Sequence, residues 1–328
     1  MTNENEIFNI KNSKDFNRIA LKTFRFQSQN NKVYQQFLKY LKINPDNIQS
    51  VEKIPFLPIQ FFKDYQVVST QPPFDLVFKS SGTTGTKRSK HFIKKRSLYE
   101  QSFMRAFSYF YGDITDYNIL ALLPSYFNQG DSSLIYMTKH LITKSAQKNS
   151  NFYLNNTDKL AKILQNLDEK GEKTLLLGVS YALMDLIEKH QFSLKNTIVM
   201  ETGGMKGRRK EMVREELHNY LTEGFGVPVI HSEYGMTELL TQSYSQGKGI
   251  FKSPAWKKIY IRDTEDPLTL LPYHKTGGVN IIDLANLYSC SFIATQDLGK
   301  IYPDGSFEIL GRFDHSDVRG CNLLIFQN

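Results

Sequence analysis

Short apolar runs alternate with amphipathic segments through the middle of the chain. The apolar runs are "YNILALLP", "KTLLLGVS", "NTIVMETGG" and "PVIHSEYGMTE", and they have the length and apolar content of buried strands. The amphipathic segments "YALMDLIEKH" and "RRKEMVREELHNYLTEGF" follow the second and third runs and are typical of helices. Strands that alternate with helices through short loops predict right-handed crossovers and a largely parallel sheet. We therefore expect an α/β fold here.

The two ends of the chain show other patterns. Apolar spacing predicts helix from Ser13 to Lys42 and again over residues 97–110, whereas "IPFLPIQFFKD" has two prolines and predicts an irregular, well-packed connection. The segments "GGVNIIDLA", "SCSFIATQDLGKIY" and "SFEILGRF" predict short antiparallel strands joined by turns. We predict one domain over residues 1–328, with an α/β part over about 1–249 and a β-rich part over about 250–328.

Composition narrows the class of protein. The chain has 328 residues, 40% of them hydrophobic, and a formal net charge of +8. Its positive residues are scattered and form no recognisable nucleic-acid module, so no nucleic-acid partner is expected. Only Cys290 and Cys321 occur, which argues against a disulfide framework and for a reducing compartment. No signal peptide or membrane span is recognisable, and we expect a cytoplasmic protein.

Residues 80–90 read "SSGTTGTKRSK" and directly follow the strand-like run "FDLVFKS". Gly82 and Gly85 permit backbone conformations that other residues avoid, and the hydroxyls and amides between them can donate to anion oxygens. Lys87 and its basic neighbours add positive charge. The spacing matches neither G-x-x-x-x-G-K-[ST] nor G-x-G-x-x-G. A strand, a glycine loop and a basic flank together favour phosphate binding, and the alternative is a solvated surface loop.

Two predicted strands end in residues that suit a nucleotide. Ligands of open parallel sheets bind beyond the carboxyl ends of the strands. Gly203 and Gly204 follow "TIVMET", where absent side chains let a flat ligand approach the backbone. In "YGMTE", the Tyr234 ring can stack on a base, while the Thr237 hydroxyl and the Glu238 carboxylate suit a hard cation such as Mg²⁺. The alternatives are a tight turn and a loop with a helix-capping threonine.

The segment "ATQDLGKIYPDGSFEILGRFDHSDVRG" contains a further candidate pair. Asp297 follows a strand, where a carboxylate can accept hydrogen bonds from two ribose hydroxyls. Arg312 lies beyond the next strand and offers a fixed fork of donors to a ribose or a phosphate. The alternative is an exposed Asp and Arg that bracket a hairpin. The histidines His91, His231 and His315 flank motifs without metal-ligand spacing, so we expect structural or positioning roles for them.

In sequence and in order, "SSGTTG", "YGMTE", "DLG" and "GRFD" resemble the adenylate-forming superfamily over most of the chain. This superfamily includes acyl-CoA ligases, firefly-type luciferases and the adenylation domains of peptide synthetases. More closely, "SSGTTGTKRSKH", "HSEYGMTEL" and "GRFDHSDVRGC" resemble the acyl-protein synthetase family of the bacterial luminescence fatty-acid reductase complex. The resemblance implies the N-terminal-domain fold of the superfamily, with largely parallel sheets flanked by helices and a β-rich C-terminal part.

The resemblance also implies that ATP and Mg²⁺ are bound. The residues that it implies are Ser81, Thr83, Thr84 and Lys87 for the β- and γ-phosphates, Gly203, Gly204 and Tyr234 for the adenine slot, Thr237 and Glu238 for the α-phosphate side and Mg²⁺, and Asp297 and Arg312 for the ribose. Superfamily members continue into a small C-terminal domain whose lysine assists adenylation. Sixteen residues follow Arg312 here, so we expect that domain to be absent.

The chemistry implied is the activation of a fatty-acid or other carboxylate as an acyl-adenylate. Cys321 is the expected acyl acceptor, because a thiolate is a good nucleophile and Arg319 and His315 lie close in sequence. An acyl reductase or a carrier protein is the expected partner. Two alternatives stay open: an acyl- or aryl-activating ligase that passes its product to coenzyme A or a carrier protein, and a non-catalytic nucleotide-binding subunit.

Overall fold

The computed structural model describes residues 3–80, 87–123, 130–203 and 212–313. The described helices are α1 (Glu4–Ile7), α2 (Ser13–Asn30), α3 (Lys32–Tyr40), α4 (Phe61–Asp64), α5 (Arg96–Tyr111), α6 (Ser133–Ser145), α7 (Thr157–Glu169), α8 (Ser180–Lys189) and α9 (Arg214–Phe225). The described strands are β1 (Leu57–Pro58), β2 (Leu76–Lys79), β3 (Lys90–Ile93), β4 (Asn118–Leu122), β5 (Asn151–Phe152), β6 (Thr174–Val179), β7 (Thr197–Thr202), β8 (His231–Tyr234), β9 (Ser243–Ser245), β10 (Phe251–Lys252), β11 (Lys257–Arg262), β12 (Thr276–Asp283), β13 (Phe292–Ile301) and β14 (Phe307–Arg312).

The described residues form two compact units. The terminal unit contains those up to Gln71 together with those from Ala255 onward, and the central unit contains those from Pro72 to Pro254. The single domain with a division near residue 250, which the sequence predicts, stays a prediction. In the part of the chain that the structure describes, no helix is both long and apolar enough to cross a membrane.

The central unit is built on a mixed sheet whose core is parallel. Strands β4, β6, β7 and β8 pair in parallel in that order, with β5 parallel beside β4 and β9 antiparallel beside β8. Every position of β4 and β6 is buried, as expected of strands covered on both faces. Helix α6 packs on β4, and helices α7 and α8 pack on β6. The prediction of an α/β fold with helices flanking a largely parallel sheet is confirmed.

Strands β2 and β3 form an antiparallel pair that brackets the glycine-rich segment, with Lys79 opposite Lys90. The helix predicted over residues 97–110 is preceded by strand β3, which the sequence did not predict. There His91 and Ile93 are buried while Lys90 is exposed, which is the two-residue period of a strand. The helix begins only at Arg96.

The terminal unit contains an antiparallel sheet in the order β11, β12, β13 and β14. Strands β12, β13 and β14 lie in the three segments for which antiparallel strands are predicted, whereas β11 was not predicted. The connection "IPFLPIQFFKD" is more regular than predicted, because Leu57 and Pro58 pair in parallel with Ile293 and Ala294 of β13. A proline is tolerated in a strand that pairs on one side only. The amide of Ile59 donates to the Ala294 carbonyl at 2.9 Å and so extends this pairing by one residue.

Within the terminal unit, the buried amide of Gln27 attaches helix α2 to the turn over residues 286–291. Its Nε2 lies 3.0 Å from the carbonyl oxygens of both Asn286 and Leu287, and its Oε1 accepts from the Ser291 amide at 2.9 Å. Gln27 is completely buried. One side chain therefore satisfies both donors and acceptors of a backbone turn that water cannot reach.

We predict that Gln27→Leu lowers the free energy of unfolding by about 2–4 kcal/mol, because it leaves buried donor and acceptor groups of the turn without partners. Gln36→Leu is the matched control, since Gln36 is exposed on α3 and the same side-chain change is expected to be nearly neutral. Urea unfolding followed by circular dichroism measures both variants. Equal midpoints for the two variants would contradict the role given to Gln27.

Candidate functional site

Gly203 and Tyr234 lie side by side at the carboxyl edge of the central sheet. Strands β7 and β8 pair in parallel with Thr202 opposite Glu233, so the next residue of each strand follows at the same edge. Gly203 has a φ of 69°, in the left-handed region that favours glycine. The Tyr234 ring is 9% exposed and packs edge-on against Phe251 at 5.8 Å. Gly204, the other predicted member of the adenine slot, lies outside the described residues.

A buried carboxylate lies directly before this edge. Glu233 is 8% exposed, and its Oε2 accepts a hydrogen bond from the Thr202 hydroxyl at 2.5 Å. A Cβ at position 235 would lie 2.4 Å from Glu233 Oε1, so the glycine of the "YGMTE" segment makes room for this carboxylate. Glu233 is not among the residues predicted from the sequence. The available signal is a charged residue within an otherwise buried strand, directly before Tyr-Gly.

A second buried carboxylate lies on the neighbouring strand. Glu201 is 4% exposed and lies 2.7 Å from Arg214 Nη1 and 3.5 Å from His218 Nε2. Burial raises its pKa, but the hydrogen bond with His218 and the positive charge of Arg214 outweigh this effect, so its pKa lies below the usual value. The nearby Ser180 hydroxyl donates to the Gly203 carbonyl at 2.9 Å and holds the backbone at the strand end.

The Thr237–Glu238 segment is attached to β3. Nδ1 of His91 lies 2.9 Å from the backbone carbonyl oxygen of Thr237. The His91 side chain is 1% exposed, and burial lowers its pKa to about 4 despite the opposing effect of this hydrogen bond. Glu238 is 5% exposed, while Thr237 is half-buried. The strand that leaves the glycine-rich segment is therefore in direct contact with the predicted cation-binding segment.

Arg88 and Lys79, which flank the glycine-rich segment, form ion pairs with Asp131. The Arg88 guanidinium contacts both carboxylate oxygens of Asp131 at 3.3 Å, and Lys79 Nζ contacts the same carboxylate at 3.1 Å. Arg88 also donates to the carbonyls of Lys79 and Ser80. The Ser80 amide donates to the Ser89 carbonyl at 3.1 Å, and the Ser89 amide to the Ser80 hydroxyl at 2.9 Å. Arg88 thus fixes the ends of the segment, a role that the sequence analysis missed.

Lys87 is the described member of the predicted phosphate site. Its side chain is exposed next to Arg88, and Arg88 is held by Asp131. Three other predicted members lie outside the described residues, namely Ser81, Thr83 and Thr84. The central unit also carries the described residues that are predicted to bind the adenine, the α-phosphate side and Mg²⁺, which are Gly203, Tyr234, Thr237 and Glu238.

The predicted ribose pair lies in the terminal unit. Asp297 and Arg312 are opposite each other in the β13–β14 pair, with Asp297 Oδ1 3.4 Å from Arg312 Nε. Asp297 is 8% exposed, whereas the Arg312 side chain is largely exposed. The structure therefore brings these two residues together, as a hairpin pair.

Arg262 lies in the same unit, and no role for it was predicted from the sequence. Its Nη2 donates to the Thr295 carbonyl at 2.6 Å and its Nη1 to the Asn280 side chain at 2.8 Å. Burial lowers the pKa of Arg262 to about 10, and the nearby Asp297 charge opposes that shift. A Cβ at Gly278 would lie 2.5 Å from Arg262 Cζ, so a glycine across the strand pair admits this guanidinium.

Of the two cysteines, Cys290 lies within the described residues and Cys321 lies outside them. Cys290 is completely buried and donates a weak hydrogen bond from Sγ to the Phe292 carbonyl at 3.4 Å. Burial raises the pKa of this thiol to about 12. Cys321, the predicted acyl acceptor, lies outside the described residues together with His315 and Arg319. The described cysteine thus has the character of a small buried core residue.

Among residues 3–80, 87–123, 130–203 and 212–313, no group of three or more His, Cys, Asp or Glu side chains is placed to hold a metal ion. Mg²⁺ commonly binds through one or two carboxylates together with substrate phosphates. The buried carboxylate of Glu238 is a group of the kind that this donor set uses. Its assignment as a magnesium ligand stays a prediction.

Comparison with known proteins gives a family and a fold. A family model described as "Acyl-protein synthetase, LuxE" matches residues 6–328. No curated protein sequence matches the chain. ATP-bound MatB from Rhodopseudomonas palustris is similar in structure, with a TM-score of 0.54 and 19% identity over 74% of this chain and 49% of that one. The chain thus spans about half the length of the MatB structure.

Two other solved structures are similar as well. An open conformation of 2-hydroxyisobutyryl-CoA ligase has a TM-score of 0.63 and 14% identity, covering 92% of this chain and 70% of that one. The long-chain-fatty-acid-CoA ligase FadD1 from Archaeoglobus fulgidus has a TM-score of 0.52 and 15% identity, covering 73% and 51%. At such identities the comparison shows the fold alone. It confirms the predicted resemblance at the level of the fold, which is similar to that of acyl-CoA ligases.

We predict that Cys290 resists alkylation in the native protein. With a pKa of about 12, only about one molecule in ten thousand carries the reactive thiolate at pH 8, and the sulfur has no access to solvent. Iodoacetamide treatment followed by peptide mass spectrometry reads Cys290 separately from Cys321, and urea-unfolded protein is the positive control. Modification of Cys290 at equal rates in native and unfolded protein would contradict the prediction.

Proposed function

The chain belongs to the LuxE acyl-protein synthetase family, and on that premise we propose that it activates a fatty-acid carboxylate with ATP and transfers the acyl group to a protein cysteine. The family membership and the fold of adenylate-forming ligases support the formation of an acyl-adenylate. The observation that carries the proposal is the parallel register of β7 and β8, which places Gly203 beside Tyr234 at the edge where such sheets bind ligands.

The first step joins the carboxylate to AMP. A carboxylate oxygen attacks the α-phosphorus of ATP, the bond from that phosphorus to the bridging oxygen breaks, and pyrophosphate leaves. Lys87, together with Ser81, Thr83 and Thr84, is proposed to donate to the β- and γ-phosphate oxygens. Electrostatic stabilisation of the charge that develops on phosphoryl oxygens is worth several kcal/mol in comparable sites.

His91 contacts the backbone carbonyl of Thr237. The Thr237 hydroxyl and the adjacent Glu238 carboxylate are proposed to face the α-phosphate side. Glu238 would hold Mg²⁺, which when bound supplies positive charge to the phosphoryl oxygens. Tyr234, with Gly203 and Gly204, is proposed to hold the adenine ring. Binding of the ribose by Asp297 and Arg312 concerns the terminal unit and stays a prediction.

The second step moves the acyl group to sulfur. The thiolate of Cys321 attacks the acyl carbonyl carbon, the bond to the phosphate oxygen breaks, and AMP leaves. Cys290 does not suit this role, because its thiol is buried and its pKa is raised to about 12. A thioester keeps the acyl group reactive toward reduction or further transfer, which agrees with an acyl reductase or a carrier protein as the partner.

We predict that the protein catalyses a carboxylate-dependent exchange of pyrophosphate into ATP. The measurement uses labelled pyrophosphate and a panel of fatty acids of increasing length, with aryl acids alongside. Fatty-acid-dependent exchange supports the proposal, and exchange with aryl acids alone favours the aryl-ligase alternative. The absence of exchange with every acid would contradict adenylation and favour a nucleotide-binding subunit.

In the same assay, Lys87→Ala and Glu238→Gln are expected to reduce exchange by about tenfold to a hundredfold, because each removes a group that faces the phosphates or the cation. The matched controls are Lys162→Ala and Glu216→Gln, which make the same changes at exposed positions of α7 and α9. If both site variants exchange pyrophosphate as fast as the control variants, the site is assigned wrongly.

We predict that Cys321 carries the acyl group. Incubation with labelled fatty acid and ATP is expected to leave hydroxylamine-labile label on the wild type and on Cys290→Ser, and none on Cys321→Ser. Pyrophosphate exchange measured on the same three proteins verifies that adenylation is intact. Label that persists on Cys321→Ser would place the acceptor elsewhere, and transfer to added coenzyme A would then support the ligase alternative.

A further inference from the structure

His91 joins two segments that are far apart in the chain. It is the second residue of β3, four positions after Lys87, and its ring contacts the carbonyl of Thr237, 146 residues away. The imidazole is 1% exposed, so water does not compete for this contact. Both segments belong to the central unit.

The geometry fixes the proton of the imidazole. A carbonyl oxygen can only accept a hydrogen bond, so the Nδ1 atom 2.9 Å away must carry the proton. The ring is 1% exposed, and burial disfavours the charged form of an imidazole. His91 is therefore expected to exist as one neutral tautomer, with the proton on Nδ1.

Further hydrogen bonds hold the segment around Thr237. The Leu239 amide donates to the Met236 carbonyl at 3.1 Å and closes a turn. The hydroxyls of Ser102 on α5 and Thr241 are 2.9 Å apart and buried. His91 contributes the contact with β3, the strand that carries the end of the glycine-rich segment.

We propose that His91 is a positioning residue, which fixes the backbone of Thr237 and Glu238 relative to the strand that follows Lys87. The inference rests on the proposed function, because it matters for catalysis only if these residues face the same nucleotide. A misplacement of about 1 Å in such a site can cost a hundredfold in rate. A buried histidine that only fills the core would instead affect stability and leave the kinetics of the folded protein unchanged.

Two conservative substitutions separate these roles. The amide nitrogen of an asparagine is as many bonds from Cβ as Nδ1 of histidine, so His91→Asn can still donate to Thr237. The amide nitrogen of a glutamine corresponds in reach to Nε2, so His91→Gln keeps a polar side chain but misplaces the donor. His91→Leu keeps the volume and removes the donor.

The kinetic test is the pyrophosphate exchange assay, with KM for ATP and kcat measured separately. His91→Asn is expected to stay within about threefold of the wild type, while His91→Gln and His91→Leu lose about tenfold or more in kcat/KM for ATP. The control pair is His140→Asn and His140→Gln on α6, where no difference between the two amides is expected. Equal activity of His91→Asn and His91→Gln, or a loss in His91→Asn alone, would overturn the proposal.

A second measurement does not depend on activity. Nitrogen-15 NMR of histidine-labelled wild-type protein at pH 7 is expected to show His91 as the tautomer protonated on Nδ1, with His91→Asn identifying its signals. A proton on Nε2 would overturn the contact and the inference with it. If the wild type shows no exchange with any acid, the proposed function fails, and the tautomer still decides whether His91 makes the contact.

Discussion

Because β7 and β8 pair in parallel with Thr202 opposite Glu233, the residues that follow both strands start from one edge of the central sheet. This register sets the position of Gly203 relative to Tyr234. A shift of one residue would turn the side chains of a whole strand to the opposite face. It would also separate the Thr202 hydroxyl from the Glu233 carboxylate, which are 2.5 Å apart. The candidate site therefore depends on strand pairing before it depends on any loop.

Buried charges accompany this edge, and each has a partner. Glu201 lies against Arg214 and His218, while Glu233 accepts from Thr202. A charge that is taken out of water costs several kcal/mol unless it is paired and hydrogen-bonded. These networks connect β7, β8 and helix α9, so they resist relative movement of the elements that carry Gly203 and Tyr234. Rigid elements of this kind can hold a binding site more accurately than loops can.

The basic residues around the glycine-rich segment divide into two roles. Arg88 and Lys79 share the Asp131 carboxylate, and Arg88 also binds the backbone at the base of the segment. Lys87 is exposed at the adjacent position. In the terminal unit, the partly buried Arg262 likewise binds backbone carbonyls, and the exposed Arg312 lies against Asp297. In both units a partly buried arginine therefore binds backbone carbonyls, while another basic residue of the predicted site stays exposed.

The sequence by itself determined the features that depend on local pattern. Continuous apolar runs predicted β4, β6 and β7, because a strand buried on both faces needs apolar residues at successive positions. The motifs predicted which strand ends carry Gly203 and Tyr234, because the residues that form a turn are neighbours in the sequence. Only the tertiary structure decided that Lys90–Ile93 is a strand, since it forms by pairing with β2. The same holds for Arg88 with Asp131, 43 residues apart, and for His91 with Thr237, 146 residues apart. Such contacts arise from packing between distant segments, and no periodicity within either segment specifies them.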